Sequence, residues 1–263
     1  MKIALAQMNV HVGDPAQNLQ TLTKYVQQAS LAGCDLVLAP ELWATGYALS
    51  DWQRLAAPRS AGMFAQAASL ARSHRIMLGG SLLEAADDRA YNTFALHSST
   101  GELIQHYRKM HLFRLMDEDQ WLGAGETLRT LDDNGARFGL AICYDLRFPE
   151  MFRQYALAGV SLVLLVAEWP IKRIDHWRTL LRARAIENQM FVVAVNRVGT
   201  TNGETFGGHS TIIDPWGQTL VEGDTSAGLL TAEIDLREVE RVRVRIPVFE
   251  DRHARYEIAT DSE

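Results

Sequence analysis

The sequence predicts an α/β fold, and three observations carry that prediction. Strand and helix signals alternate from the first residues. Several strand candidates are continuous apolar runs, the pattern of strands buried on both faces. At 263 residues, with no long Pro/Ser/Gly linker and no low-complexity tract, the chain is read as one domain over 1–263 with a substantial core.

The elements follow in order. Lys2 to Met8 reads as a strand. Asp14 is placed to cap a helix that starts at Pro15, and Leu19, Leu22, Val26 and Ala29 recur at helical spacing. Gly33 closes that helix, and Asp35 to Ala39 is a short buried strand. A second helix is expected over Ala61 to Ser73. Strands are expected over Ile76 to Leu83, Tyr91 to Ser98 and Glu102 to Tyr107, the last two joined by a turn at Thr100-Gly101. The apolar run Phe138 to Ile142 is a strand that ends at Cys143 and leads to a helix from Pro149 to Ala158. Ser161 to Ala167 and Met190 to Asn196 are buried strands around a helix from His176 to Asn188. Strands at His209 to Ile213 and Gly228 to Ile234 complete the set, with a turn at Asp214 to Gly217. The stretch 237–263 stands apart. Arg241 to Ile246 alternates charge with apolar residues, which predicts a late strand and a polar tail, lying on its own domain or on a partner.

Composition removes several classes of function. The formal net charge is −6 and there is no basic run to track a phosphate backbone, so nucleic acid is not an expected partner. No segment reaches membrane-spanning length, and the N-terminal apolar run is too short for a signal core with its cleavage site. Two cysteines, Cys34 and Cys143, make no disulfide framework, and the expectation is a cytoplasmic protein. The histidines lack paired ligand spacing, so no metal is expected, and His209 is read as structural. No cofactor is expected.

Three polar residues stand at strand ends: Glu41, Lys109 and Cys143. An acid, a cation and a thiol at matching ends of core strands can converge in one cleft. The thiol sits at a strand-to-helix turn, where backbone N–H groups favour a thiolate. Each also has a plain alternative: Glu41 as a helix-start charge, Lys109 as a solvated cation, Cys143 as a core residue. Cys34 has no CxxC partner, which argues against a redox thiol protein and for an inert core role.

The three segments resemble the signatures of the nitrilase superfamily, the carbon–nitrogen hydrolases. The glutamate motif is matched by Leu38-Ala-Pro-Glu41 through Tyr47, the lysine motif by Tyr107-Arg-Lys109 through Phe113, and the cysteine motif by Gly139 through Glu150. The resemblance continues through Ala167-Glu-Trp-Pro170, His176-Trp177, Arg182 to Gln189 and Asn196 to Gly199. It implies a four-layer αββα sandwich of two mixed sheets, pairing into a homodimer to which the C-terminal tail contributes. It also implies roles: Cys143 as nucleophile, Glu41 as general base and acid, and Lys109 with the Tyr144 backbone N–H as oxyanion donors. Glu118, among the three acids Asp117, Glu118 and Asp119, fits the family's second glutamate. The texture around Cys143 and at Ile246 to Arg252 is similar to the omega-amidase branch, which implies a small amide substrate bearing a carboxylate at its far end. Arg147, Lys172 and Arg173 are candidates to bind that carboxylate, and Tyr47, Trp169 and Trp177 to wall the pocket. Other aliphatic amides, deaminated glutathione included, then nitriles, then a catalytically silent binding module are the alternatives; the intact Glu41, Lys109 and Cys143 argue against the last.

Overall fold

A computed structural model gives the structure, which describes residues 1–133 and 135–253. The strands in chain order are β1 (Lys2–Gln7), β2 (Leu36–Leu38), β3 (Met77–Ala86), β4 (Arg89–His97), β5 (Leu103–Arg108), β6 (Thr130–Asp133), β7 (Ala136–Ile142), β8 (Leu162–Ala167), β9 (Phe191–Asn196), β10 (Val198–Thr201), β11 (Glu204–Gly207), β12 (Thr211–Ile213), β13 (Thr219–Glu222) and β14 (Gly228–Glu233). The helices are α1 (Pro15–Leu31), α2 (Trp52–Leu55), α3 (Gly62–His74), α4 (Glu118–Trp121), α5 (Pro149–Leu157), α6 (Ile174–Asn188) and α7 (Arg237–Arg245). One six-stranded sheet runs β14-β1-β2-β3-β4-β5 and a second runs β13-β12-β9-β8-β7-β6, with β10 and β11 as a separate hairpin. Both sheets are mixed: β1, β2 and β3 are parallel, as are β7, β8 and β9, with antiparallel strands at the flanks.

Side-chain alternation explains the layering. In β1, Ile3 and Leu5 face the core between the sheets, while Ala4 and Ala6 face the helices. Leu36 and Leu38 of β2 repeat the first pattern and Val37 the second. The outer core is closed by Leu22, Val26 and Ala29 of α1 and by Phe64, Ala67 and Leu70 of α3. On the other sheet, Phe152 of α5 and Trp177 and Leu181 of α6 cover β7, β8 and β9, which are buried on both faces. The result is the expected αββα arrangement. Each fully buried Leu, Ile or Phe contributes roughly 1.5–3 kcal/mol. Asp14 caps α1 as the sequence suggests, its carboxylate accepting from the Gln17 N–H at 3.0 Å.

Three local expectations are corrected. The alternating segment Arg241 to Ile246 forms most of helix α7 and not a strand. Helical spacing turns Val239 and Val242 inward together, and Glu238 pairs with Arg241 one turn on at 3.0 Å. The rest of that expectation, residues 254–263, lies outside the described residues. The strand expected from His209 begins at Thr211, because His209 takes a left-handed conformation with φ of 51°. The short strands β6, β10, β11 and β13 were not expected; each is four residues, partly exposed and without strong apolar alternation. Among the described residues, no helix is long and apolar enough to cross a membrane.

Candidate active site

Glu41 follows β2. The chain continues the pairing through the Ala39 N–H to the Gly79 carbonyl at 2.8 Å, then turns at Leu42, whose φ is 42°. Ser81 holds that turn, its Oγ accepting from the Leu42 N–H at 2.8 Å. Gly80 lets Trp43 lie against β3: a Cβ there would stand 2.8 Å from the indole Cδ1. Lys109 follows β5 and donates its backbone N–H to the Asn92 carbonyl of β4 at 2.9 Å. In the first sheet, β2 and β5 run in the same direction, so the acid and the amine emerge at one end.

Cys143 follows β7 and opens a short 3₁₀ turn, Cys143–Arg147, with φ of 49°. A left-handed non-glycine residue is costly and needs support. The buried carboxylate of Asp145 supplies it. Its Oδ2 accepts from the Ile142 N–H at 2.9 Å and the Tyr107 hydroxyl at 2.8 Å, and its Oδ1 accepts from the His111 N–H at 3.2 Å. Cys143, Glu168 and Arg197 therefore stand at the carboxyl ends of the three parallel strands β7, β8 and β9. This is the edge where parallel sheets gather their chemistry.

These groups meet across the two sheets. Lys109 Nζ lies 2.8 Å from Glu41 Oε1 and 2.5 Å from Glu118 Oε1, with all three side chains fully buried. Asn92 Nδ2 donates to the same Glu41 oxygen at 2.8 Å, and the Glu168 backbone N–H donates to the other at 3.0 Å. Glu118, at the start of α4, also accepts from the Tyr47 hydroxyl at 2.5 Å and from the Phe113 N–H at 2.8 Å. Asp117 and Asp119 are exposed, so of the three acids Glu118 is the buried one that meets Lys109. Burial opposes the Lys109 charge, but Glu118, Glu41 and the thiol outweigh it and raise its pKa well above the usual lysine value.

The Cys143 thiol is buried and lies in the field of Glu41, Lys109 and Glu118. Burial first, then the two carboxylates, push its pKa well up; Lys109 and the Glu168 N–H pull the other way and lose. Burial thus opposes the thiolate that the turn favours, and a base near the sulfur matters for its attack. Burial, with Glu118 next, likewise keeps Tyr47 a neutral phenol that donates to Glu118.

The cleft above the thiol is lined by Phe113, Met116, Tyr144, Arg147, Trp169 and Arg173, with Glu168 beside the sulfur. Its free space is about 20 Å³, on the scale of a single water. The Arg147 guanidinium stacks over Trp169 at 4.8 Å and touches His176 Nδ1 at 3.3 Å. Arg173 lies over Phe113 at 5.3 Å. Neither arginine forms an ion pair with a described carboxylate. Lys172, by contrast, is exposed and paired with Glu204 at 3.3 Å, away from the lining. Tyr47 buttresses Glu118 and is not part of the lining. Trp177 is fully buried behind Trp169 and donates to the His209 carbonyl at 2.8 Å. Sequence reasoning missed Asn92, Asp145 and Glu168. Asn92 and Glu168 are polar residues within or just after apolar strand patterns, a signal that marks a buried polar group but not its partner.

Two sheets that bring a buried glutamate, lysine and cysteine to their common edge belong here to a class of hydrolase. The carbon–nitrogen hydrolase family model matches residues 2–244. The 2-oxoglutaramate amidase of Bacillus subtilis is 40% identical, over 95% of this chain and 96% of that protein. Among solved structures, XC1258 of Xanthomonas campestris, a CN-hydrolase superfamily protein, superposes with a TM-score of 0.91 at 31% identity over 98% of both chains. Nit3 of Saccharomyces cerevisiae, a member of the nitrilase superfamily, gives 0.86 at 28% identity over 94% of each. The chain belongs to the carbon–nitrogen hydrolase family, within the nitrilase superfamily.

Proposed function

We propose that this protein is an amidohydrolase that releases ammonia from the terminal amide of a small carboxylate-bearing substrate such as 2-oxoglutaramate. The observation that carries the reading is the Lys109 ammonium held between two buried carboxylates, Glu41 and Glu118, in the field of the Cys143 thiol.

The chemistry follows from that arrangement. Cys143 Sγ attacks the amide carbonyl carbon while Glu41 takes the thiol proton. Charge develops on the carbonyl oxygen, and Lys109 Nζ with the Tyr144 backbone N–H stabilises it. The C–N bond breaks as Glu41 passes its proton to the departing nitrogen, which leaves as ammonia. A thioester on Cys143 remains. Glu41 then deprotonates a water, whose oxygen attacks the thioester carbon; the acid leaves and the thiol regains its proton. Glu118 holds Lys109 in place, its oxygens accepting from Lys109, Tyr47 and the Phe113 N–H.

Arg147 and Arg173 support the carboxylate-bearing substrate class. They are guanidinium groups beside the cleft with no carboxylate of their own, and guanidinium matches a carboxylate geometrically. Trp169 forms the apolar wall. The Bacillus relative carries the name 2-oxoglutaramate amidase, which supports the same class. Two unpaired, buried cysteines suit a cytoplasmic setting. Exposed Ile186, Trp216 and Ile246 lie near one another, and a homodimer formed through that face would cover them.

Ammonia release over a panel of 2-oxoglutaramate, glutamine, deaminated glutathione, a neutral aliphatic amide and a nitrile tests this reading. Preference for the carboxylate-bearing amides is expected; preference for the nitrile would overturn it. Arg173→Gln should raise KM for 2-oxoglutaramate by roughly 10–100-fold, the worth of a charge-assisted hydrogen bond, and leave KM for the neutral amide nearly unchanged. Equal effects on both would remove its anion role.

A further inference from the structure

Glu168 is a buried acid at this edge whose side chain the mechanism above leaves unused. It stands one residue beyond β8 and lines the cleft beside Cys143. Its side chain is 1% exposed, and its Oε2 accepts from Arg197 Nη1 at 3.1 Å. Arg197 is anchored in turn: its Nη2 donates to the Val10 carbonyl at 2.7 Å and to Asn9 Oδ1 at 3.1 Å, and the guanidinium stacks on Phe206 at 4.2 Å. The pair is thus fixed by β9 on one side and by the loop after β1 on the other. The second carboxylate oxygen, Oε1, is buried and has no hydrogen-bond partner among the described residues. A buried acceptor left open is rare, and costly unless something fills it.

We infer that Glu168 Oε1 is the acceptor for an N–H of the substrate's primary amide, and that this carboxylate selects amides over substrates lacking that hydrogen. The inference rests on the reading of the site as amide-cleaving. A planar primary amide presents two N–H donors beside its carbonyl. When the carbonyl carbon faces Cys143 and the oxygen faces Lys109, the nitrogen falls on the Glu41 side. Glu41 can receive one N–H, but both of its oxygens already accept from Asn92, Lys109 and the Glu168 N–H. Glu168 supplies the unfilled position. Burial, opposed by Arg197 and aided by Glu41, pushes the Glu168 pKa up to about 7. An arriving N–H favours the carboxylate form. Nitriles and esters carry no such hydrogen and leave the oxygen unpaired, a penalty that discriminates more strongly than a missing methylene.

The test is the ratio of kcat/KM for an amide to that for the methyl ester of the same acid, in the wild type and in Glu168→Gln. Two pairs are used: glutaramate with monomethyl glutarate, and butyramide with methyl butyrate. Where an ester is not turned over, its inhibition constant replaces its kcat/KM. In the variant, Arg197 keeps the amide oxygen of residue 168, so the –NH2 turns to the cleft and a donor stands where an acceptor stood. The amide-to-ester ratio should fall at least tenfold in both pairs. An unmoved ratio, whether both substrates decline together or neither declines, would overturn the inference. Should that variant fold poorly, the double replacement Glu168→Leu with Arg197→Met removes both charges of the buried pair, an exchange that stability often tolerates, and the same fall in ratio is expected. Failure of the amidase reading shows elsewhere: the wild type would then release no ammonia from either amide.

Discussion

A protonated nucleophile and a carboxylate partner make one unit, and the residue scale is where that unit is tested. Burial and two carboxylates push the Cys143 pKa well up against the pull of one ammonium. In the proposed mechanism its attack depends on Glu41 receiving the proton. Cys143→Ala should reduce ammonia release by at least about four powers of ten while leaving the circular dichroism spectrum and melting temperature nearly unchanged, since little volume is lost. Glu41→Gln keeps the shape and one acceptor oxygen but no base. It should lower kcat by roughly two to four powers of ten with a much smaller change in KM, as read by steady-state kinetics.

At the scale of elements, the turn after β7 owes its geometry to the strands and loops around it. Asp145 ties that turn to Tyr107 of β5 and to the loop that follows Lys109. Asp145→Asn must offer an N–H to a donor on one side of this network. Each buried donor so orphaned costs about 1–3 kcal/mol. A lower melting temperature is expected, together with a fall in kcat of roughly 10–100-fold from a displaced sulfur. A variant with wild-type kcat would show that the turn holds itself. The sequence revealed much at this scale, and its limits have physical causes. Continuous apolar runs made β7, β8 and β9 readable, and Asp14-Pro15 made the start of α1 readable. Helix α7 was misread because Arg241-Val-Arg-Val-Arg245 alternates as a strand does, while the deciding features were the spacing of Val239 and Val242 and the pairing of Glu238 with Arg241. At the site, Glu41, Lys109, Cys143 and Glu118 were singled out through the family resemblance, and the structure puts Lys109 against both Glu41 and Glu118. Asn92, Asp145 and Glu168 were not, because their importance lies in partners from other strands, and register is not written in local pattern. The weight of burial on the thiol was hidden for the same reason. A backbone N–H is visible in a turn signature, but the burial that defeats it is tertiary.

At the scale of the whole molecule, the two sheets divide the site between them. Glu41 and Lys109 come from one, Cys143 and Glu168 from the other, and the site exists only while the sheets are packed. Stability and activity are therefore linked through the same core. His97 of β4 bears on this. It is buried at 2% exposure, and burial lowers its pKa to about 4 from 6.5, against a backbone hydrogen bond with Leu78. The folded state thus resists protonation more than the unfolded chain does. Its contribution is complete above pH 6.5 and is lost as pH falls toward and through 4, on the order of 3 kcal/mol. Urea unfolding across that range should show the slope, and His97→Gln should flatten it; an unchanged slope would assign the acid sensitivity elsewhere. Association belongs to this scale as well. If the Ile186, Trp216 and Ile246 face joins two copies, Ile186→Glu should yield a monomer in light scattering, whereas a wild-type mass for that variant would exclude the face. The claim on which the rest depends is a covalent thioester on one sulfur. Mass spectrometry of enzyme quenched in acid during turnover of 2-oxoglutaramate measures it directly. The account predicts an added acyl group on the peptide containing Cys143 and none in Cys143→Ala; an adduct on Cys34, or turnover with no adduct at any residue, would contradict it.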